Sequence, residues 1–239
     1  MENKNYAIPL ALTVIGVIVG GYFLLGGDSS SRLAGLAGIS DSNSEIEEVN
    51  PLDNFRPVES TDWIKGNLEA EIIIVEYSDI ECPFCKVFHN TLKAVTADYD
   101  DNQVAWVFRH FPLDMLHQNA RLEAEATQCA GIIGGNDKFW QYLSRLFETT
   151  NSNDGLDINQ LPEIAETIGL DKQSFSDCLD QGLASEVVET DLQNAIESGA
   201  GGTPFAVITT KDGLKLAIPG AVPAEEMKNL IDNLLAEEL

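Results

Sequence analysis

Apolar positions along this chain follow two rhythms, one suited to strands and one to helices. EIIIVEYS (71–78) is a short, β-branched, nearly continuous apolar run, the pattern of a buried strand. From Cys82 to about Asp98, Phe84, Val87, Phe88, Leu92 and Val95 recur at helical spacing. QVAWVFRHF (103–111) reads as a second strand, so this stretch predicts a βαβ unit with a parallel strand pair. The middle of the chain is helical in pattern. Segments 119–133, 137–150, 158–170, 171–182 and 185–200 each carry apolar residues on one side, and Asp137 is placed to cap the second of them. PFAVITT (204–210) and LKLAIPG (214–220) flank the turn KDG and predict an antiparallel hairpin. PAEEMKNLIDNLLAEEL closes the chain as a helix with Pro223 at its start. The order is βαβ, a helical insertion at about 113–200, then ββα.

The N-terminus follows neither rhythm. Tyr6 to Leu25 is apolar and uncharged, and at a helical rise of about 1.5 Å per residue it spans roughly 30 Å, the thickness of a bilayer core. Residues 1–27 are therefore expected to be a membrane anchor or, alternatively, a signal segment that is cleaved. Lys4 before the span, with Arg32 and Asp28 after it, favours an N-terminus inside and a body outside the cytoplasm. Residues 28–60 are rich in Gly, Ser, Asn and acids with no sustained period, and are expected to form a flexible tether. The folded domain is expected at 61–239.

Charge narrows the function classes. The formal net charge is −25, from 39 acidic and 14 basic residues. Such a surface repels phosphate backbones, so no nucleic-acid partner is expected. It reads first as a well-solvated surface, with a salty medium or a cationic partner as the sharper reading.

The chemistry concentrates in ECPFCKVFH (81–89), which holds two of the four cysteines. A cysteine at a helix N-terminus meets unpaired backbone N–H groups and the positive end of the helix dipole, both of which favour thiolate over thiol. Cys82 is placed for this, with Pro83 in the first turn; Cys85 lies one turn further in. Cys82 would exchange with a partner's sulfur and Cys85 would resolve the mixed disulfide. A zinc half-site is the rival reading, but there is no second CxxC and His89 supplies only a third ligand, so no metal is expected. A purely structural disulfide is another. Cys129 and Cys178, in the insertion, read either as buried free thiols or as a bonded pair. His89 is expected near the surface, and His110 and His117 carry no assigned role. Glu76 lies inside an apolar run, where an idle charge would be costly.

IIIVEYSDIECPFC resembles the opening strand and active site of the DsbA-like thiol–disulfide oxidoreductases of the thioredoxin superfamily, and GGTPFAVI resembles that family's second landmark. The resemblance covers residues 56–239. It implies a thioredoxin-like α/β fold with a helical insertion, with Cys82 as the exposed nucleophile and Cys85 as the buried resolving cysteine. It further implies that Glu76 handles the proton of Cys85, that Pro204 after Thr203 is a cis-proline, and that clients bind against Thr203, Pro204, Pro83 and Phe84. A structural Cys129–Cys178 disulfide is implied by similar bonds in some members. The implied partners are cysteine-containing client polypeptides and a membrane redox partner that regenerates the disulfide; no cofactor is implied. The strong oxidases of the family carry histidine inside the motif where this chain has Phe84, so activation is expected to come mainly from the helix terminus. The implied activity is disulfide formation, at a cell membrane and outside the cytoplasm, or secreted if the N-terminus is cleaved. A reductase or isomerase, or a non-catalytic chaperone of the same fold, are the alternatives.

Overall fold

The computed structural model describes residues 50–237. The apolar stretch Tyr6–Leu25 and most of the expected tether lie outside them. Among the described residues no helix is long and apolar enough to cross a membrane.

The elements in chain order are β1 (Ile64–Lys65), β2 (Ile72–Ser78), α1 (Pro83–Thr96), β3 (Val104–His110), α2 (Ala120–Gly134), α3 (Asn136–Thr149), α4 (Leu161–Thr167), α5 (Lys172–Asp180), α6 (Ser185–Glu197), β4 (Phe205–Thr210), β5 (Lys215–Pro219) and α7 (Ala224–Glu237). The strands form one sheet in the order β1-β3-β2-β4-β5. β2 and β3 are parallel, as the βαβ pattern requires, and put Glu76 opposite Phe108. β4 runs antiparallel to both β2 and β5, which seats Ala206 on the other side of Glu76. β1, too short to leave a periodic trace, was not expected; it pairs antiparallel with the edge of β3.

β2 and β3 are buried along their whole length, which is why their sequences read as continuous apolar runs. Alternate side chains point into two separate cores. Ile72 and Ile74 pack with Phe88 and Leu92 of α1 and with the helices of the insertion. Ile73, Val75 and Tyr77 pack with Ala195 of α6 and with Leu52 and Phe55. Truncating a fully buried residue such as Phe88 or Leu92 to alanine is expected to cost about 2–5 kcal/mol and to loosen α1 from the sheet.

The tether boundary expected at residue 60 falls inside the folded body. Pro51–Asn54 is a 3-10 turn capped by Asn50, and Leu52 and Phe55 are buried. Behind them the buried Arg109 guanidinium donates to the carbonyls of Arg56 (2.9 Å) and Pro57 (3.0 Å) and to both oxygens of Asp62 (2.9 Å each). Two apolar side chains among many polar ones gave no period, yet they have a core to enter.

The insertion contains the five helical pieces expected, with changed ends. The piece starting at Ile158 opens as a 3-10 turn, capped by Asp157, before α4 begins. Asp137 lies in the first turn of α3 rather than capping it, because Gly135, at φ +77°, turns the chain two residues earlier. Cys129 on α2 and Cys178 on α5 form a disulfide that ties these helices together.

Candidate active site

β2 ends at Ser78, and the loop Asp79–Glu81 delivers the chain to α1. Cys82 is the N-cap of that helix, in extended backbone conformation (φ −78°, ψ 122°), with Pro83 as the first helical residue. Proline suits this position because its missing N–H would have no partner there. The Cys82 thiol lies 3.8 Å from the carbonyl oxygen of Thr203, and the Thr203–Pro204 peptide is cis. The two motifs thus meet although they are far apart in the chain. Pro83 and Phe84 face solvent, Phe84 at 67% exposure, whereas Pro204 is buried behind the strand start.

Cys82 is less open than the resemblance implied. It retains 5% of its surface and Cys85 none. The Cys82 thiol is nevertheless acidified, from 9.0 to about 6. The first cause is the Cys85 thiol, which can donate to a Cys82 thiolate; the backbone N–H groups of Cys85 and Phe84 and the Thr203 hydroxyl follow, and burial opposes them. The helix terminus expected to dominate therefore shares the work with the neighbouring thiol. Cys85 moves the opposite way: burial, then the adjacent Cys82, push its thiol well up, while the Asp79 N–H donates to its sulfur at 3.4 Å. One cysteine is held ready to ionise and the other to stay protonated.

The loop before Cys82 is pinned by buried carboxylates. Asp79 accepts from the N–H of Glu81 (2.8 Å) and of Leu113 (2.7 Å), and its other neighbour is His117 Nδ1 at 2.9 Å. Glu81 accepts from the Thr150 hydroxyl (2.6 Å) and the Gly155 N–H (3.1 Å). Glu123 of α2 is fully buried with no donor on either oxygen. Burial and the facing Glu81 push its carboxyl up to about 10, so it holds a proton at neutral pH and can donate it to Glu81. The turn opposite holds Ser152, Asn153 and Asp154 all at positive φ (64°, 55° and 60°).

Glu76 lies on the sheet face that packs against α1, with Ile72 and Ile74. It accepts from the Ser78 hydroxyl (2.5 Å) and the Trp106 indole (3.1 Å), and its Oε2 is 3.8 Å from His89 Nδ1. His89 was expected near the surface but is buried, stacked on Phe147 with ring centroids 4.5 Å apart. Nothing near it in sequence marks its cover, which comes from Phe147 of α3 and Trp106 of β3. The link between His117 and Asp79 was not expected either, since it joins the loops that follow the parallel strands β2 and β3. Among the described residues no group of three or more His, Cys, Asp or Glu side chains could hold a metal.

The family model described as Thioredoxin matches residues 59–233. Among solved structures, Pseudomonas aeruginosa DsbA2 is 29% identical with a TM-score of 0.62, covering 75% of this chain and 97% of that one. BdbD from Bacillus subtilis, at 22% identity and a TM-score of 0.66, covers 76% of this chain and 97% of that one and shares the fold. Among curated proteins, an Na(+)/H(+) antiporter NhaA 1 from Mycolicibacterium vanbaalenii is 35% identical over 138 residues, 57% of this chain and 21% of that protein. The chain spans only about a fifth to a quarter of the length of the antiporters it matches (21% and 27% in two of them).

Proposed function

That the chain belongs to the thioredoxin family, as a DsbA-like thiol–disulfide oxidoreductase, is the premise from which we propose that it forms disulfides in cysteine-containing polypeptides outside the cytoplasm. What supports this direction is the placement of Cys82 as the N-cap of α1 beside the Thr203 carbonyl, with its thiol acidified to about 6 and that of Cys85 pushed well up. A stabilised Cys82 thiolate is a good leaving group and stabilises the reduced form, which makes the disulfide form an oxidant.

The exchange runs in two displacements. A client thiolate attacks the Cys82 sulfur of the Cys82–Cys85 disulfide; the S–S bond breaks and Cys85 leaves, taking up a proton. A second client thiolate then attacks the client sulfur of the mixed disulfide, and Cys82 leaves as a thiolate. The client loses two electrons and the protein gains them. Glu76, on the same side of the sheet as α1, is assigned to the proton that Cys85 takes up. Thr203 O, beside the Cys82 sulfur, is placed to accept from the backbone N–H of a bound client, and Pro83, Phe84 and Pro204 frame the approach.

A membrane redox partner would re-oxidise the pair. Residues 1–27 would anchor the protein in the cell membrane, and the segment before residue 50 would hold the body away from it. The Phe84 side chain offers the thiolate neither charge nor hydrogen bond, so the couple is expected to be less oxidising than the roughly −120 mV of the strongest oxidants of this kind. Equilibration with glutathione measures it. A value near −120 mV would contradict the role given to Phe84, and one near −270 mV would turn the direction to reduction. C82S is expected to abolish exchange, while C85S traps the client as a mixed disulfide. A chaperone assay that C82S leaves unchanged, with no thiol exchange by the wild type, would leave only the chaperone reading.

A further inference from the structure

Phe84 takes away the cation that a motif histidine would place beside the sulfur, yet the loop that must accept a thiolate is crowded with carboxylates. Asp79 and Glu81 precede Cys82, and both are buried. Asp154 lies on the opposite turn and binds the Asn119 N–H at 2.9 Å. Adding a thiolate to this group needs a compensating positive charge. Lys86, one turn into α1, is committed to the Thr150 carbonyl at 2.7 Å. His117 is the cation left. It is buried, its Nδ1 is 2.9 Å from Asp79 Oδ2, and its own N–H donates to the Leu113 carbonyl at 2.9 Å. Asp79 in turn touches both cysteines through its backbone: its carbonyl accepts from Cys82 N–H at 3.2 Å and its N–H donates to the Cys85 sulfur at 3.4 Å.

We propose that His117, held by Asp79, is a positioning residue that adds to the stabilisation of the Cys82 thiolate, so that imidazole and thiol titrate as a linked pair. The inference rests on the reading of Cys82 as the reactive sulfur. Around His117 the ionisable groups are Asp79 from the loop after β2, Cys82 from the head of α1 and Asp154 from the turn before α4, all of which hold the imidazolium above its usual range against the cost of burial. Glu81 and Glu123 form the next layer, and Glu123, protonated, adds no charge. By linkage, the cation that the thiolate stabilises must stabilise the thiolate.

The test uses the full chain. In H117Q the pH midpoint of thiolate formation at Cys82, followed by iodoacetamide alkylation rate, is expected to rise by roughly 0.5–1, which is about threefold to tenfold less thiolate below the midpoint. Exchange equilibrium with glutathione should move by the same factor towards the disulfide form. A purely structural His117 would lower the melting temperature and leave the midpoint where it was, and that result overturns the proposal. Wild-type protein supplies a second measurement that needs no variant to fold. The imidazole NMR titration of His117 should have a higher midpoint in the reduced protein than in the disulfide form, and equal midpoints would also overturn it. A protein in which Cys82 ionises at acidic pH independently of His117 sinks this inference alone. One in which Cys82 does not exchange with glutathione sinks the proposed function.

Discussion

Cys129 and Cys178 retain 0% and 3% of their surface, and Cys82 and Cys85 retain 5% and 0%. By burial the two pairs are nearly alike. By chemistry they diverge: the first pair is bonded across two helices, and the second sits as two thiols with opposite acidities. The difference lies in the neighbours. Both pairs lie in one apolar cluster with Phe139, Tyr142 and Phe175, but Cys129 and Cys178 are bonded to each other and keep no thiol to ionise. Cys82 has N–H groups of the first helical turn and a second thiol aimed at it. Burial alone therefore predicts little about a cysteine; the donors around the sulfur decide whether it is inert or reactive.

Three changes would break or sharpen this contrast. The largest effect is expected from C129A/C178A. Releasing a closed loop of 49 residues should lower unfolding free energy by about 4 kcal/mol in the chain-entropy view, measured by denaturant titration. The reduction potential of the Cys82–Cys85 couple should stay unchanged; a shift would mean that the two regions are coupled.

E123Q comes next, because α2 carries both Cys129 and the carboxyl that faces Glu81 behind the active-site loop. Glu123 rises from 4.5 to about 10 on folding. A group raised in the folded state contributes fully below its unfolded pKa and loses that contribution as pH rises towards the folded value. Wild-type stability should therefore decline between pH 5 and pH 8, and E123Q should flatten that decline, with a gain on the order of 2 kcal/mol at pH 8. Parallel stability–pH curves for the two proteins would show that Glu123 is not held protonated.

The smallest effect belongs to F84A. With 67% of Phe84 exposed, its loss should leave the melting temperature within about 2 °C and weaken client capture by roughly 1 kcal/mol, read as a rise in KM with little change in kcat. A large drop in kcat would move Phe84 from docking into the chemistry.

The reading from sequence succeeded where pattern and function coincide. The strands at Ile72–Ser78 and Val104–His110 are buried on both faces and so are continuous in sequence, and Cys82 stands where strand gives way to helix. It failed where burial depends on a distant partner. β1 has two residues and no period of its own. His89 is buried between Phe147 of α3 and Trp106 of β3, and nothing in the local sequence singles out Glu123. The acidity of Cys82 was legible in its direction, but the Asp79–His117 link joins loops that adjoin only after the sheet has formed.

The guanidinium of Arg109 has a consequence for where the folding unit begins. Its partners include two main-chain carbonyls contributed by Arg56 and Pro57, ahead of the first strand. A chain trimmed at residue 60 would deprive that buried cation of both carbonyl acceptors and leave it chiefly to Asp62, and would strip Leu52 and Phe55 from the apolar layer behind the sheet. The start of the domain is thus marked by where a charge finds its oxygens, a boundary that no count of hydrophobic residues would locate.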